Sequence, residues 1–216
     1  PQITRTATDP EGLPFEEGKL YFTNVEITER TFLTPETLRL PEGQNSFIVN
    51  PAANGMETLL QLPITRVNEY WSGVDNSKTI GSDDAWIAEI IWKDFDLNGN
   101  GNVISFTDDV NHGVGPDTRI GLTLNSFPDD QYGNVVIGIK KANASGQPVG
   151  DWLWSWHLWI TDFDEETHNS LYPGSGQIVM DRNLGAKNNA VGDVGTFGLM
   201  YQWGRKDPFV GAASTM

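Results

Sequence analysis

DWLWSWHLWITDFD, residues 151–164, is the stretch on which the reading of this chain turns. Trp152, Trp154 and Trp156 fall at every second residue, and Trp159 follows. A period of two is that of a β-strand. It predicts Trp152, Trp154 and Trp156 on one face, with Leu153, Ser155, His157 and Trp159 on the other. Such a row of rings can stack on sugars from the surface, or it can fill a core. Burial removes roughly 150–250 Å² per ring from water, worth several kcal/mol at about 25 cal/mol per Å². Leaving three rings exposed forgoes that gain and creates an adhesive patch. The expectation is a core row, with Trp159 turned toward whatever follows it.

Working outward, the same period recurs. In AWIAEIIW (85–92), Trp86, Ala88, Ile90 and Trp92 share a face by simple alternation. NVVIGIK (134–140) alternates likewise, and LYFTNVEIT (20–28), NSFIVN (45–50), NVISF (102–106) and RIGLTLN (119–125) read as further strands. ETLLQLPITRV (57–67) is interrupted by Pro63 and reads as an edge or bulged strand. Turn-rich links such as DDQYGN (129–134) and NASGQPVG (143–150) separate them, and no segment keeps a helical period. The fold class expected is all-β: an antiparallel β-sandwich, Ig-like or transthyretin-like, followed by an incomplete loop-rich second domain. The divisions are a polar arm over 1–18, the sandwich over 19–161, a linker over 162–176, and the N-terminal part of a second domain over 177–216.

Composition narrows the chemistry. The chain has 216 residues, no cysteine and a formal charge of −15. Disulfides, thiolate metal sites and cysteine nucleophiles are therefore out. Phosphate backbones and anionic lipid repel such a chain, so neither nucleic acid nor membrane insertion is expected. No run approaches the roughly 20 apolar residues that span a bilayer.

VMDRNLGA (179–186) followed by GLMYQWGRKDPF (198–209) resembles the opening of the Fibrobacter succinogenes major paralogous domain. NSFIVNP (45–51), ITRVNEYW (64–71), VVIGIKK (135–141) and LWSWHLWITDFD (153–164) are similar to the β-rich region upstream of it in fimbrillin-like surface proteins of Bacteroidetes. The resemblance covers about residues 45–210. It implies export to the bacterial cell surface or outer membrane, a role in fimbriae or cell adhesion, and pilus or other surface proteins as partners. A carbohydrate-binding module meeting host or dietary glycans is the alternative.

Candidate chemistry is sparse. In DFDLNGNGN (94–102), Asp94, Asp96, Asn98 and Gly99 match the start of a calcium loop, where oxygens at alternate positions converge. Position 12 is Ser105 in place of glutamate, and the flanks read as strands, so a hairpin turn is the simpler account and calcium the only cofactor entertained. Asp162, Asp164, Glu165 and Glu166 form an acidic cluster that reads as a solvated loop, although two carboxylates across a cleft can cleave glycosides. His112, His157 and His168 keep no metal spacing, and His157 is expected in the core. Asp181, Arg182, Asn183 and Arg205 read as side chains that satisfy buried backbone groups in a glycine-rich segment. GSG (174–176) lacks the spacing of a nucleophile elbow, and GTFGLMYQWGRK (195–206) lacks the setting of a phosphate loop. With no triad, metal cluster or phosphate cradle, the sequence predicts a non-enzymatic protein with no assigned catalytic, ligand-binding or metal residue.

Overall fold

In a computed structural model, residues 36–51, 58–95, 104–124, 132–164 and 166–210 are described. The arm over 1–18, the strand at 20–28 and most of the 94–102 loop lie outside them. The described residues all fall in one compact unit.

The chain is all-β. One sheet holds β1 (Glu36–Arg39), β3 (Thr58–Pro63), β7 (Arg119–Leu124) and β5 (Ile104–Phe106), in the order β1-β3-β7-β5. A second holds β2 (Ser46–Val49), β9 (Pro148–Ile160), β8 (Gly133–Ala142), β4 (Ala85–Lys93) and β6 (His112–Val114), in the order β2-β9-β8-β4-β6. Between β3 and β4 lies one short helix, α1 (Arg66–Trp71), and a 3₁₀ turn at Asn76–Lys78. A separate two-stranded ribbon pairs β10 (Asn169–Leu171) with β11 (Ile178–Met180), so the stretch read as a linker contains a strand.

Alternation places the core. Leu60 and Leu62 of β3 and Ile120, Leu122 and Leu124 of β7 are buried. They join one apolar cluster with Ala88 of β4, Ile137 and Ile139 of β8, and Trp154, Trp156 and Leu158 of β9. Each buried indole contributes about 4–6 kcal/mol of transfer free energy, an upper bound because unfolded chains are already compact.

Three expectations are corrected. The pairing is not antiparallel throughout: β1–β3 and β2–β9 are parallel. The chain visits the five-stranded sheet as β2 between β1 and β3, and a strand reached by a crossover returns in the same direction. Pro63 does not mark an edge; β3 lies between β1 and β7, and the proline sits at its last residue, where a missing N–H costs little.

The third correction concerns the tryptophans. A bulge in β9 between the partners of Ile139 and Lys141 breaks the alternation before Trp154. Trp154 and Trp156 stay in the core, whereas Trp152 lies against Gly138, which pairs with Ser155 on the opposite face. A second bulge, between Ile90 and Trp92, does the same in β4. Trp86, Ala88 and Ile90 face the core, and Trp92 turns outward to within 6.4 Å of the His157 ring. An odd number of inserted residues flips every side chain beyond it, and both irregularities re-aim an indole.

The outward face of the five-stranded sheet is covered as well. Gly133–Ile139 and Leu153–Ile160 are buried at every position, as strands enclosed on both sides must be. The cover comes from the 181–209 segment. Trp159 Nε1 donates to Ala186 O at 2.9 Å, and Ser155 Oγ donates to Asp207 Oδ2 at 2.6 Å.

Candidate functional site

Two constellations concentrate the polar chemistry. The first is buried between the outward sheet face and the 181–209 segment. Asn134, on β8, has no solvent exposure. Its N–H donates to Asp94 Oδ1 at 2.6 Å; its Nδ2 donates to Asp94 Oδ2 at 3.0 Å and to Gly185 O at 2.8 Å. With both amide hydrogens used, its Oδ1 must accept, so His157 Nε2, 3.0 Å away, carries the hydrogen. Burial pushes the His157 pKa down to about 4, with Asp207 pulling the other way. Lys187 Nζ donates to Asp94 O and lies 3.9 Å from Asp94 Oδ1.

Nearby, Arg182, whose side chain is 2% exposed, grips Asp181 through Nε and Nη2 at 2.7 and 3.2 Å. Its Nη1 reaches Asp162 at 2.5 Å and Thr161 Oγ1 at 3.3 Å. The guanidinium holds the Asp181 carboxyl below its usual range. Asn183 donates to Thr196 O, and Arg205 Nε to Asp207 O. All four residues bind protein partners, but not the buried backbone groups expected of them: Asn183 and Arg205 are exposed, and Asp181 and Arg182 bond side chains.

The acidic cluster does not converge on a cleft among the described residues. Asp162 is held by Arg182, and Asp164 accepts from Glu166 N at 2.7 Å; Glu165 lies outside the described residues. Of the calcium motif, Asp94 is described and turned inward onto Asn134; Asp96, Asn98 and Gly99 lie outside, and Ser105 sits on β5 opposite Thr123. His112 is exposed on β6, and His168 Nδ1 accepts from Asp164 N at 3.1 Å.

The second constellation was not expected from the sequence. Its parts come from α1, the following 3₁₀ turn, β9 and the 206 region, too far apart in the chain for any spacing to join them. The Trp154 ring is bounded by Tyr70 at 4.8 Å, the Arg66 guanidinium at 5.6 Å and Lys206 Nζ at 4.9 Å. Trp71 stands edge-on to Tyr70 at 4.8 Å, and Lys78 Nζ lies 4.3 Å over its ring. Two anchors hold the indoles: Trp154 Nε1 donates to Asn45 Oδ1, and Trp71 Nε1 to Leu153 O. Lys206 also donates to Ser155 O and Oγ at 2.7 and 2.6 Å and pairs with Asp207; burial pulls its pKa below the ordinary value. The Tyr70 ring is 44% exposed, so an aromatic surface flanked by three cations opens to solvent.

No family model matches the chain. Over 154 residues it is 29% identical to "Phosphate import ATP-binding protein PstB 2" of Aliivibrio fischeri (strain ATCC 700601 / ES114), covering 64% of this chain. The matched part is 46% of that protein, so the chain spans under half the length of its curated relative. That relative is named for ATP binding in phosphate import. The match overturns the expected non-enzymatic adhesion or assembly role, its glycan-binding alternative, and the expectation that the chain is no enzyme. What it does not bring is a phosphate loop. The one Gly-Lys pair, Gly18-Lys19, follows Gly12 with one residue too many and precedes Leu20, where Ser or Thr is required.

Proposed function

We propose that this chain binds a nucleotide, with the base on the Tyr70–Trp71 surface and the phosphates on Arg66 and Lys78. The observation that carries the reading is the placement of three cations against two indoles in a chain of net charge −15. An anion is repelled by most of this surface, so a local cationic pocket with aromatic walls is where it would be held. Stacking on an aromatic side chain is worth about 1–3 kcal/mol per base, and cation contacts add phosphate affinity that falls with salt. The relative is named as ATP-binding, which supports the same ligand class.

Titration of the full chain with ATP, ADP and AMP tests it, followed by tryptophan fluorescence at low and physiological salt. Saturable quenching that weakens with salt, and about tenfold weaker binding in Lys78→Ala, is expected. Absence of quenching at millimolar ATP overturns the reading. Phosphate release in the same samples reports whether turnover accompanies binding.

The two sheets are read, as part of this proposal, as the layers of a sandwich of Ig-like or transthyretin-like kind. The support is the apolar cluster that draws on both.

A further inference from the structure

We propose that Asn134, His157 and Asp94 form an acid-labile clasp: protonating His157 frees the 181–209 segment and uncovers the outward face of the five-stranded sheet, while the core between the sheets stays folded.

The geometry makes Asn134 the hub. Both amide hydrogens and the carbonyl oxygen of its side chain are engaged, two of these bonds on the sheet side and one on the covering segment through Gly185 O. Its amide can be oriented only one way, and that orientation requires a hydrogen on His157 Nε2. A second proton on the ring must go to Nδ1. The ring is enclosed: His157 is 4% exposed, with Trp92 beside it. A charge created there is expensive unless the cover moves and water enters.

The charged groups around the ring decide whether the charge is tolerated. Asp207, on the covering segment, favours it. Asp207 is however engaged by Ser155 and Lys206, and Lys206 is a cation beside the same strand. Asp94, across Asn134, is met by Lys187 from the covering segment and by the Asn134 amide from β8. On the next rung of the face, Glu89 and Lys140 pair with each other at 3.6 Å. Among the described residues, Asp94, Asp207 and Glu89 are thus each already engaged, consistent with the depressed value of about 4.

The core is insulated from this event. Leu158, Trp156, Ile137 and Ile139 sit on the other face of the same strands, in the cluster shared with Leu60, Leu62 and Leu122. Opening would expose Trp159, whose Nε1 bond to Ala186 O would be lost, together with Val136 and Phe163, which stacks on Trp159 at 5.8 Å.

If the open form titrates near the ordinary 6.5 and the closed form at about 4, the opening equilibrium rises about 30-fold between pH 7.5 and pH 5. Hydrogen exchange of the full chain at both values, corrected for the intrinsic pH dependence of exchange, reads this directly. Amides over 184–199 are expected to lose about 30-fold protection while those of β3, β7 and β8 keep theirs. His157→Gln, whose amide can still donate to Asn134, is expected to flatten the dependence. Equal protection at both values overturns the clasp. So does parallel loss in segment and core, or an unchanged dependence in His157→Gln. Should that variant fail to fold, the wild-type titration decides: opening that begins between pH 6.5 and 4 supports the clasp, and opening confined below pH 4, where carboxylates protonate, overturns it.

Discussion

Gly138 lies directly under the Trp152 indole: a Cβ built at Gly138 would meet Trp152 Cε3 at 2.5 Å and Ile91 Cδ1 at 2.7 Å. Gly113 stands in the same relation to Trp86, with a Cβ only 2.3 Å from Cζ2. The two sites differ in what the ring can do. Trp152 is 36% exposed and can swing outward, whereas Trp86 is 2% exposed and fixed by bonds to Gly115 O and Thr118 Oγ1. Gly113→Ala is therefore expected to cost about 2–3 kcal/mol and Gly138→Ala about 1 kcal/mol, by urea unfolding. Equal losses would mean that the Trp152 ring is as fixed as Trp86.

The strands that carry the core were legible because alternation is a strong signal: β4, β8 and β9 stand where the apolar period of two put them. The faces of Trp92 and Trp152 were not legible, since an irregularity that inserts an odd number of residues has no required residue type and inverts the parity beyond it. The burial of Trp154, Trp156 and Trp159 followed from area alone. The site fared worse. Asp94 matched a metal motif, yet both its carboxylate oxygens accept from Asn134, forty residues along the chain. The cation–aromatic cluster joins Arg66, Trp154 and Lys206, whose proximity is a product of topology that no local spacing encodes.

Trp156 and Trp159 are neighbours in the strand with opposite polar fates. Trp156 Nε1 is buried with no hydrogen-bond partner among the described residues, whereas Trp159 Nε1 bonds Ala186 O. Phenylalanine leaves a void at either site. At 156 it also removes an unsatisfied donor; at 159 it strands a carbonyl. Trp156→Phe is expected to be the milder change by about 1 kcal/mol, although Trp156 is the more deeply buried ring. Calorimetric melting of both variants checks the order, and the reverse order would place an acceptor beside Trp156.

Asn134→Ala would leave the His157 Nε2–H, Asp94 Oδ2 and Gly185 O short of a partner at once, while the backbone N–H of residue 134 keeps Asp94 Oδ1. A loss of about 3 kcal/mol is expected, far above that of an exposed asparagine. Arg182→Lys keeps the charge but cannot hold Asp181 through two nitrogens while reaching Asp162, and is expected to cost about 2 kcal/mol. The two sites share no hydrogen-bond partner, so the double variant should lose close to the sum.

Two acid-sensitive windows follow from groups shifted in the same direction. His157 is depressed to about 4 from 6.5, so its neutral form is favoured by folding. Its contribution is complete above pH 6.5 and is lost as pH falls toward 4, amounting to about 3 kcal/mol. Asp181 is held below 3.8 by Arg182, so its contribution is complete above that value and disappears only at more acid pH. Urea midpoints at pH 7.5, 5.5, 4.5 and 3 should therefore fall in two stages. His157→Gln should remove the first stage and leave the second. Arg182→Lys should weaken the second and leave the first, because the carboxylate that it releases titrates nearer 3.8. A first stage that survives in His157→Gln would assign the loss between pH 6.5 and 4 to some other group.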